Sequence, residues 1–328
     1  MHMPAQPAPK GKLMPDQAID YCLDLREFIS LDELSRNEIP SLEAWLDTPL
    51  LAKSTRIYIG SSFCPQALFH SASLIEAVVG LCNARGLKAT FSLPIATQYN
   101  LKQLSSKAKS LIALGQGVID EVVANDLGTL EWLCALSKST RIQTQESTAG
   151  ESLPRFSVGL GRLLSKDTRD PRDAEYSWTP YQPAALQQDW EGTTHLDKLL
   201  VTFSYWDEQE EAYWSPVSSI ELDPTHATIE LYGLPAYLTP VLNGPTCYMS
   251  TGQICEYASV GLGDESLFRP NAPCAHQCTE HAIRYRGSSG VEFAKLGRTV
   301  YFLPDWECAV TGVGSYRQLI SPLWEMRR

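Results

Sequence analysis

No stretch of the chain stays apolar for the ~20 residues that a membrane-spanning helix needs. The longest apolar runs, around LIALG (111–115) and EAVVGLC (76–82), are far shorter, so no membrane span is expected. Basic clusters are missing as well: no run of Lys or Arg is longer than the final Arg327–Arg328 pair, and the net charge is −11. Nucleic-acid binders draw most of their affinity from Lys and Arg on phosphates. Bulk nucleic acid is therefore not expected as a ligand, and a small molecule or a protein partner, including a heterodimer, is. No G-x-G-x-x-G follows a strand-like stretch, so nothing points to a dinucleotide fold, and no G-x-S-x-G or Cys/His signature marks a conventional peptidase. The N-terminal MHMPAQPAPKGKLMPD has no leader-like pattern; it is a Pro-rich tail expected to be disordered over residues 1–15. The expected location is cytoplasmic.

What is present is ordinary globular composition, 44% hydrophobic and 20% charged over 328 residues, enough for a large core without staples. Residues 16–50 read as an N-terminal helical extension, DQAIDYCLDLREFIS followed by LDELSRNEIPSLEAWL, broken near Pro40. Residues 51–240 then alternate. RIYIG (56–60) reads as a strand, ALFHSASLIEAVVGLCNARG as a helix capped by Gly86, LKATFSLP as a strand closed by Pro94 and LKQLSSKAKSLIALG as a helix. DEVVAND (120–126), LGTLEWLCALSKS and TRIQTQ supply strand, helix and strand. Such alternation means βαβ units and a parallel sheet. The fold expected is α/β, a (β/α) barrel that is irregular or incompletely closed. An insertion at about 145–197 lacks clear periodicity, and KLLVTFSYW, SSIELDP, ATIELYG and RTVYFLP read as later strands. Residues 241–328 form a cysteine-rich segment completing the same domain.

Five of the nine cysteines lie in that last segment: Cys247, Cys255, Cys274, Cys278 and Cys308. A reducing compartment and an odd count argue against a disulfide framework. Cys22, Cys82 and Cys134 fall at apolar positions and read as small core residues. The late five lie among Gly, Pro, Ser, Thr and Asn, in loop-like sequence that can wrap around a metal. Thiolates suit zinc or an iron–sulfur cluster. Only Cys274-x3-Cys278 is a tight pair, whereas structural zinc usually shows two, and widely separated cysteines suit a cluster held across several loops. His276 and His281 make no familiar zinc spacing. A zinc-stabilised binding or scaffold protein remains the alternative, as does a hydrolase using the carboxylates or Cys64, with His70 close by in sequence.

These elements resemble a known family. NGPTCYMSTGQIC, RPNAPCAHQC and GRTVYFLPDWEC are similar, in order and approximate gaps, to three C-terminal elements of the collagenase-like peptidases, family thirty-two of the unassigned peptidases. IYIGSSFC and VVANDLGTLEWL resemble that family's first barrel strands, so the likeness covers roughly 55–135 and 240–320. In the relatives that accompany oxygen-independent hydroxylation of ubiquinone or of RNA bases, these cysteines hold a [4Fe–4S] cluster. The resemblance implies Cys247, Cys255, Cys274 and Cys308 as ligands, with Cys278 as neighbour or substitute. One branch of the family also uses a cysteine after the first barrel strand, where this chain has Cys64. The activity implied is an oxygen-independent hydroxylation or other redox step. A substrate is expected at the C-terminal ends of the strands, near Cys64, Asn125 and Asp126, although an Asp before Leu127 also suits a helix cap.

Overall fold

The computed structural model describes residues 19–37, 41–49, 51–96, 101–146, 153–161, 164, 195–208, 210–222, 230–231, 236–238, 241–242, 276–286, 292–297, 299–302, 311–312 and 316–323. Eight strands close into a barrel: β1 (Ile19–Asp24), β2 (Arg56–Gly60), β3 (Lys88–Ser92), β4 (Ile119–Ala124), β5 (Ser157–Leu160), β6 (Val217–Leu222), β7 (Ala236–Leu238) and β8 (Tyr316–Ile320). Each is hydrogen-bonded in parallel to its neighbours in chain order, and the ring closes where Cys22 of β1 registers with Leu319 of β8.

The barrel-like α/β architecture expected from the alternating pattern is present. Helices α3 (Pro65–His70) and α4 (Ala72–Arg85) link β2 to β3, α5 (Leu101–Leu114) links β3 to β4, and α6 (Leu127–Glu146) links β4 to β5. Gly86 caps α4 in the left-handed region at φ 67°, as a glycine at that position should. The main core lies between the outer face of the sheet and these helices. Ile57, Ile59, Phe91, Val122 and Leu160 are buried with Ile75, Val78, Leu111, Leu130 and Cys134.

Three expectations are corrected. Residues 19–24 are not helical but form the first barrel strand, because IDYCLD sits between β2 and β8, with its backbone bonded to both. Only α1 (Leu31–Arg36) and α2 (Leu42–Leu46) of that region are helices. TRIQTQ does not form a strand; α6 runs on to Glu146, and β5 begins only at Ser157. KLLVT is helical, within α7 (His195–Thr202), and only Tyr205–Asp207 of that stretch is extended, in a hairpin with Ala212–Trp214. Among the described residues, no helix is long and apolar enough to cross a membrane.

The barrel interior is unusually polar. A small cluster of Cys22, Tyr58, Val123 and Leu319 shares it with a charged network. Glu121 of β4 accepts from both terminal nitrogens of Arg317 on β8 (2.8 and 3.1 Å), from the Thr90 hydroxyl on β3 (2.7 Å) and from the Ser219 hydroxyl on β6 (2.6 Å). Arg317 also donates to the Tyr58 hydroxyl on β2 (2.6 Å). One carboxylate thus ties together strands that are not neighbours in the sheet. Burial opposes its charge, but Arg317, its hydrogen bonds and Arg56 prevail and hold the carboxyl down at about 2.

Candidate functional site at the C-terminal mouth of the barrel

In a parallel barrel the residues that follow each strand converge at one end, where backbone direction and loop freedom favour functional groups. Here the first polar layer at that end runs from Asp24 at the end of β1 and Arg26 just past it, through Ser61 and Ser62 after β2, to Ser92 of β3, Asn125 after β4 and Glu221 of β6. All seven are buried. Arg26 donates its Nε and Nη2 to Asp24 (2.9 and 2.8 Å) and its Nη1 to both oxygens of Glu221 (2.8 and 3.0 Å). Burial disfavours the guanidinium charge, and the two carboxylates on either side hold it protonated. Ser62 and Ser92 share a hydrogen bond at 3.2 Å, and the Asn125 carboxamide nitrogen reaches Ser92 Oγ and the Leu93 carbonyl.

The β2 turn is shaped by Gly60, whose φ of 96° favours glycine and whose absent Cβ would overlap the Ser92 carbonyl oxygen. Beyond it Ser61 Oγ accepts from the amides of Phe63 (3.3 Å) and Cys64 (2.9 Å), winding the chain into α3. Cys64 is the N-cap of α3, is buried, and makes no capping bond with its side chain.

A second part of the chain packs over the same end. Residues 276–286 carry α8 (Gln277–Glu280), and Ile283–Arg286 pairs antiparallel with Glu292–Leu296, itself paired with Thr299–Phe302. Asn37, at the end of α1, donates to the Glu280 carbonyl and accepts from the Ala282 amide, and the Thr279 hydroxyl donates to buried Glu33. The His276 ring meets the His70 ring edge-on, with centroids 4.2 Å apart, at the far end of the helix that Cys64 begins. Burial, with the nearby His70, lowers the His276 imidazole to about 4. The segment bearing half-buried Cys278 is thereby pinned on the β1–β2 side of the mouth.

Of the cysteines singled out in the sequence, Cys64 and Cys278 are brought to this side of the barrel. Cys247, Cys255, Cys274 and Cys308 lie outside the described residues. Among the described residues no group of three or more His, Cys, Asp or Glu side chains is arranged to hold a metal ion. Cys22, Cys82 and Cys134 are buried, as expected for core residues; burial raises the Cys82 and Cys134 thiols to about 12 and the Cys22 thiol well above its ordinary range. Asp126 is engaged as a helix cap: one carboxylate oxygen accepts from the Thr129 amide (2.8 Å), the other from the Thr129 hydroxyl and the Ala96 amide. It fixes the start of α6 rather than facing the mouth with a free carboxylate.

Of the polar residues of the mouth, Asn125 was singled out in the sequence; Asp24, Arg26, Ser61, Ser62, Ser92 and Glu221 were not. Their signal is a pair of polar residues just past a strand, Arg26 and Glu27 one residue beyond β1 and Ser61 and Ser62 directly after β2, a position that loads a barrel's functional face. A comparison of the chain with protein-family models, curated proteins and solved structures finds no match.

Proposed function

We propose that the chain is an iron–sulfur protein that binds a [4Fe–4S] cluster at the C-terminal mouth of its barrel. There it serves an oxygen-independent hydroxylation or other redox step on a small molecule, together with a partner protein. The observation that carries this reading is the anchoring of the Cys278 segment on the side of the mouth where Cys64 begins α3, through His276 on His70 and through Asn37 and Thr279. Two cysteines far apart in the chain approach one rim, and the unabsorbed cysteines Cys247, Cys255 and Cys274 lead into that same segment in sequence.

The donor set fits the group. Thiols are the ligands that iron–sulfur clusters take; Cys64 is buried and Cys278 half-buried. Cys247, Cys255, Cys274 and Cys308 would hold the cluster, with Cys278 as neighbour or substitute and Cys64 as a further candidate on the same rim. A bound cluster supplies one-electron transfer. The chain's own contribution is a buried, preorganised polar floor, in which Arg26, clamped between Asp24 and Glu221, and the Ser62–Ser92–Asn125 chain offer fixed dipoles to a substrate. The net charge of −11 favours a small molecule over bulk RNA.

Protein purified without oxygen is expected to carry about four iron and four sulfide per chain, with broad absorbance near ~400 nm. Stoichiometric zinc without labile sulfide would refute the cluster and leave a zinc-stabilised protein.

A further inference from the structure

Glu27 has three features that an ordinary loop residue avoids. It lies just past β1 in the left-handed region, at φ 74°, without being glycine. It is 1% exposed, and burial raises its carboxyl from the ordinary value. Its two oxygens are also committed to one turn: one accepts from the Ser61 hydroxyl and the other from the Ser62 amide, each at 2.8 Å. The Glu27 amide donates to the Gly60 carbonyl, so backbone and side chain both grip the β2 turn.

The contacts continue in both directions. Ser61 Oγ, held by Glu27, receives the Cys64 amide, so the carboxylate sets that turn through one hydroxyl. On its other side Glu27 packs against Gly297, where an added Cβ would sit 3.8 Å from both the Glu27 Cβ and its Oε2. The Gly297 amide donates to the Cys278 carbonyl at 2.8 Å. A single buried side chain thus stands between the Cys64 turn and the backbone of Cys278.

We propose that Glu27 is a positioning residue that holds the Cys64 turn and the Cys278 segment in a fixed relation, so that both thiols serve one site. The proposal rests on the cluster reading for its purpose but not for its test. Strained, buried groups persist where the surrounding structure over-determines them, and they gather at sites that need preorganisation. A glutamine at 27 keeps the shape but has a single acceptor oxygen, so it cannot accept from both the Ser61 hydroxyl and the Ser62 amide as the carboxylate does.

The test compares the full-length protein with Glu27→Gln and with Ser61→Ala, which cuts the same chain at its middle without a buried charge change. Metal-free, reduced protein is treated with iodoacetamide under native conditions, and each cysteine is quantified by peptide mass spectrometry. Cys64 alkylation is expected to rise about tenfold or more in both variants through local opening of the turn, with Cys22, Cys82 and Cys134 unchanged. After anaerobic reconstitution, both variants are expected to hold less iron than wild type, with altered EPR spectra of the reduced cluster. Unchanged Cys64 alkylation in both variants, or an equal rise at the three core cysteines, overturns the proposal. If Glu27→Gln fails to fold, Ser61→Ala decides alone. A wild-type protein that takes up no iron refutes the cluster, while the alkylation rates still decide the role of Glu27.

Discussion

Replacing Glu121 by Gln removes one charge from the centre of the barrel and changes almost no volume. The carboxyl ordinarily titrates near 4.5 and is held at about 2 in the fold. That difference corresponds to roughly 3 kcal/mol of preference for the charged form, which Gln forfeits. A second route gives a similar size: breaking a buried ion pair by removing one partner costs about 3–5 kcal/mol, because the guanidinium of Arg317 stays buried. The midpoint of thermal unfolding should fall by roughly 4–7 °C at neutral pH for a chain of this size. Since the folded-state value lies below the unfolded one, the contribution is complete above about pH 4.5 and is lost as pH falls toward 2. The variant should therefore lose less stability than wild type on acidification through that window. The assay is urea unfolding followed by circular dichroism between pH 7 and 3, with Glu121→Gln/Arg317→Met as a control that removes both charges and recovers part of the loss. A loss below ~1 kcal/mol at pH 7, or parallel acid limbs for the two proteins, would refute the view that this carboxylate ties the interior together.

Gly60→Ala places a Cβ against the Ser92 carbonyl at a φ of 96°, so we expect a loss of about 1–3 kcal/mol, read as a lower urea midpoint. An unchanged midpoint would mean that the β2 turn can relax at no cost. Cys278→Ser and Cys64→Ser should each lower the iron content of anaerobically prepared protein. Cys82→Ser and Cys134→Ser should keep it and cost about 1–3 kcal/mol for a buried hydroxyl. Equal iron loss in both pairs, measured colorimetrically, would show that the cysteines do not divide into core and site.

Between residues 56 and 136 the sequence is decisive by itself. RIYIG, KATFS and IDEVVA are short and β-branched or aromatic, and the helices between them carry apolar stripes and a Gly86 cap. Local preference and tertiary need agree there, so a parallel α/β barrel is legible. Elsewhere they part. Ile19–Asp24 has Ile19 and Leu23 apolar, with Asp20 and Asp24 charged, a spacing of four that suits a helix as well as a strand. Only bonding to β2 and β8 makes it extended. TRIQTQ shows the converse, β-like composition carried along by a helix already nucleated upstream. The division of the cysteines was partly legible, because apolar surroundings mark Cys22, Cys82 and Cys134 as core. The polar mouth, apart from Asn125, was not. Arg26 meets Glu221 from 195 residues away, and Glu33 meets Thr279 from 246. No local pattern encodes such pairs, since a charge in the sequence looks the same whether it faces water or a buried partner. Closure of the barrel brings the partners together, and that is a property of the whole fold.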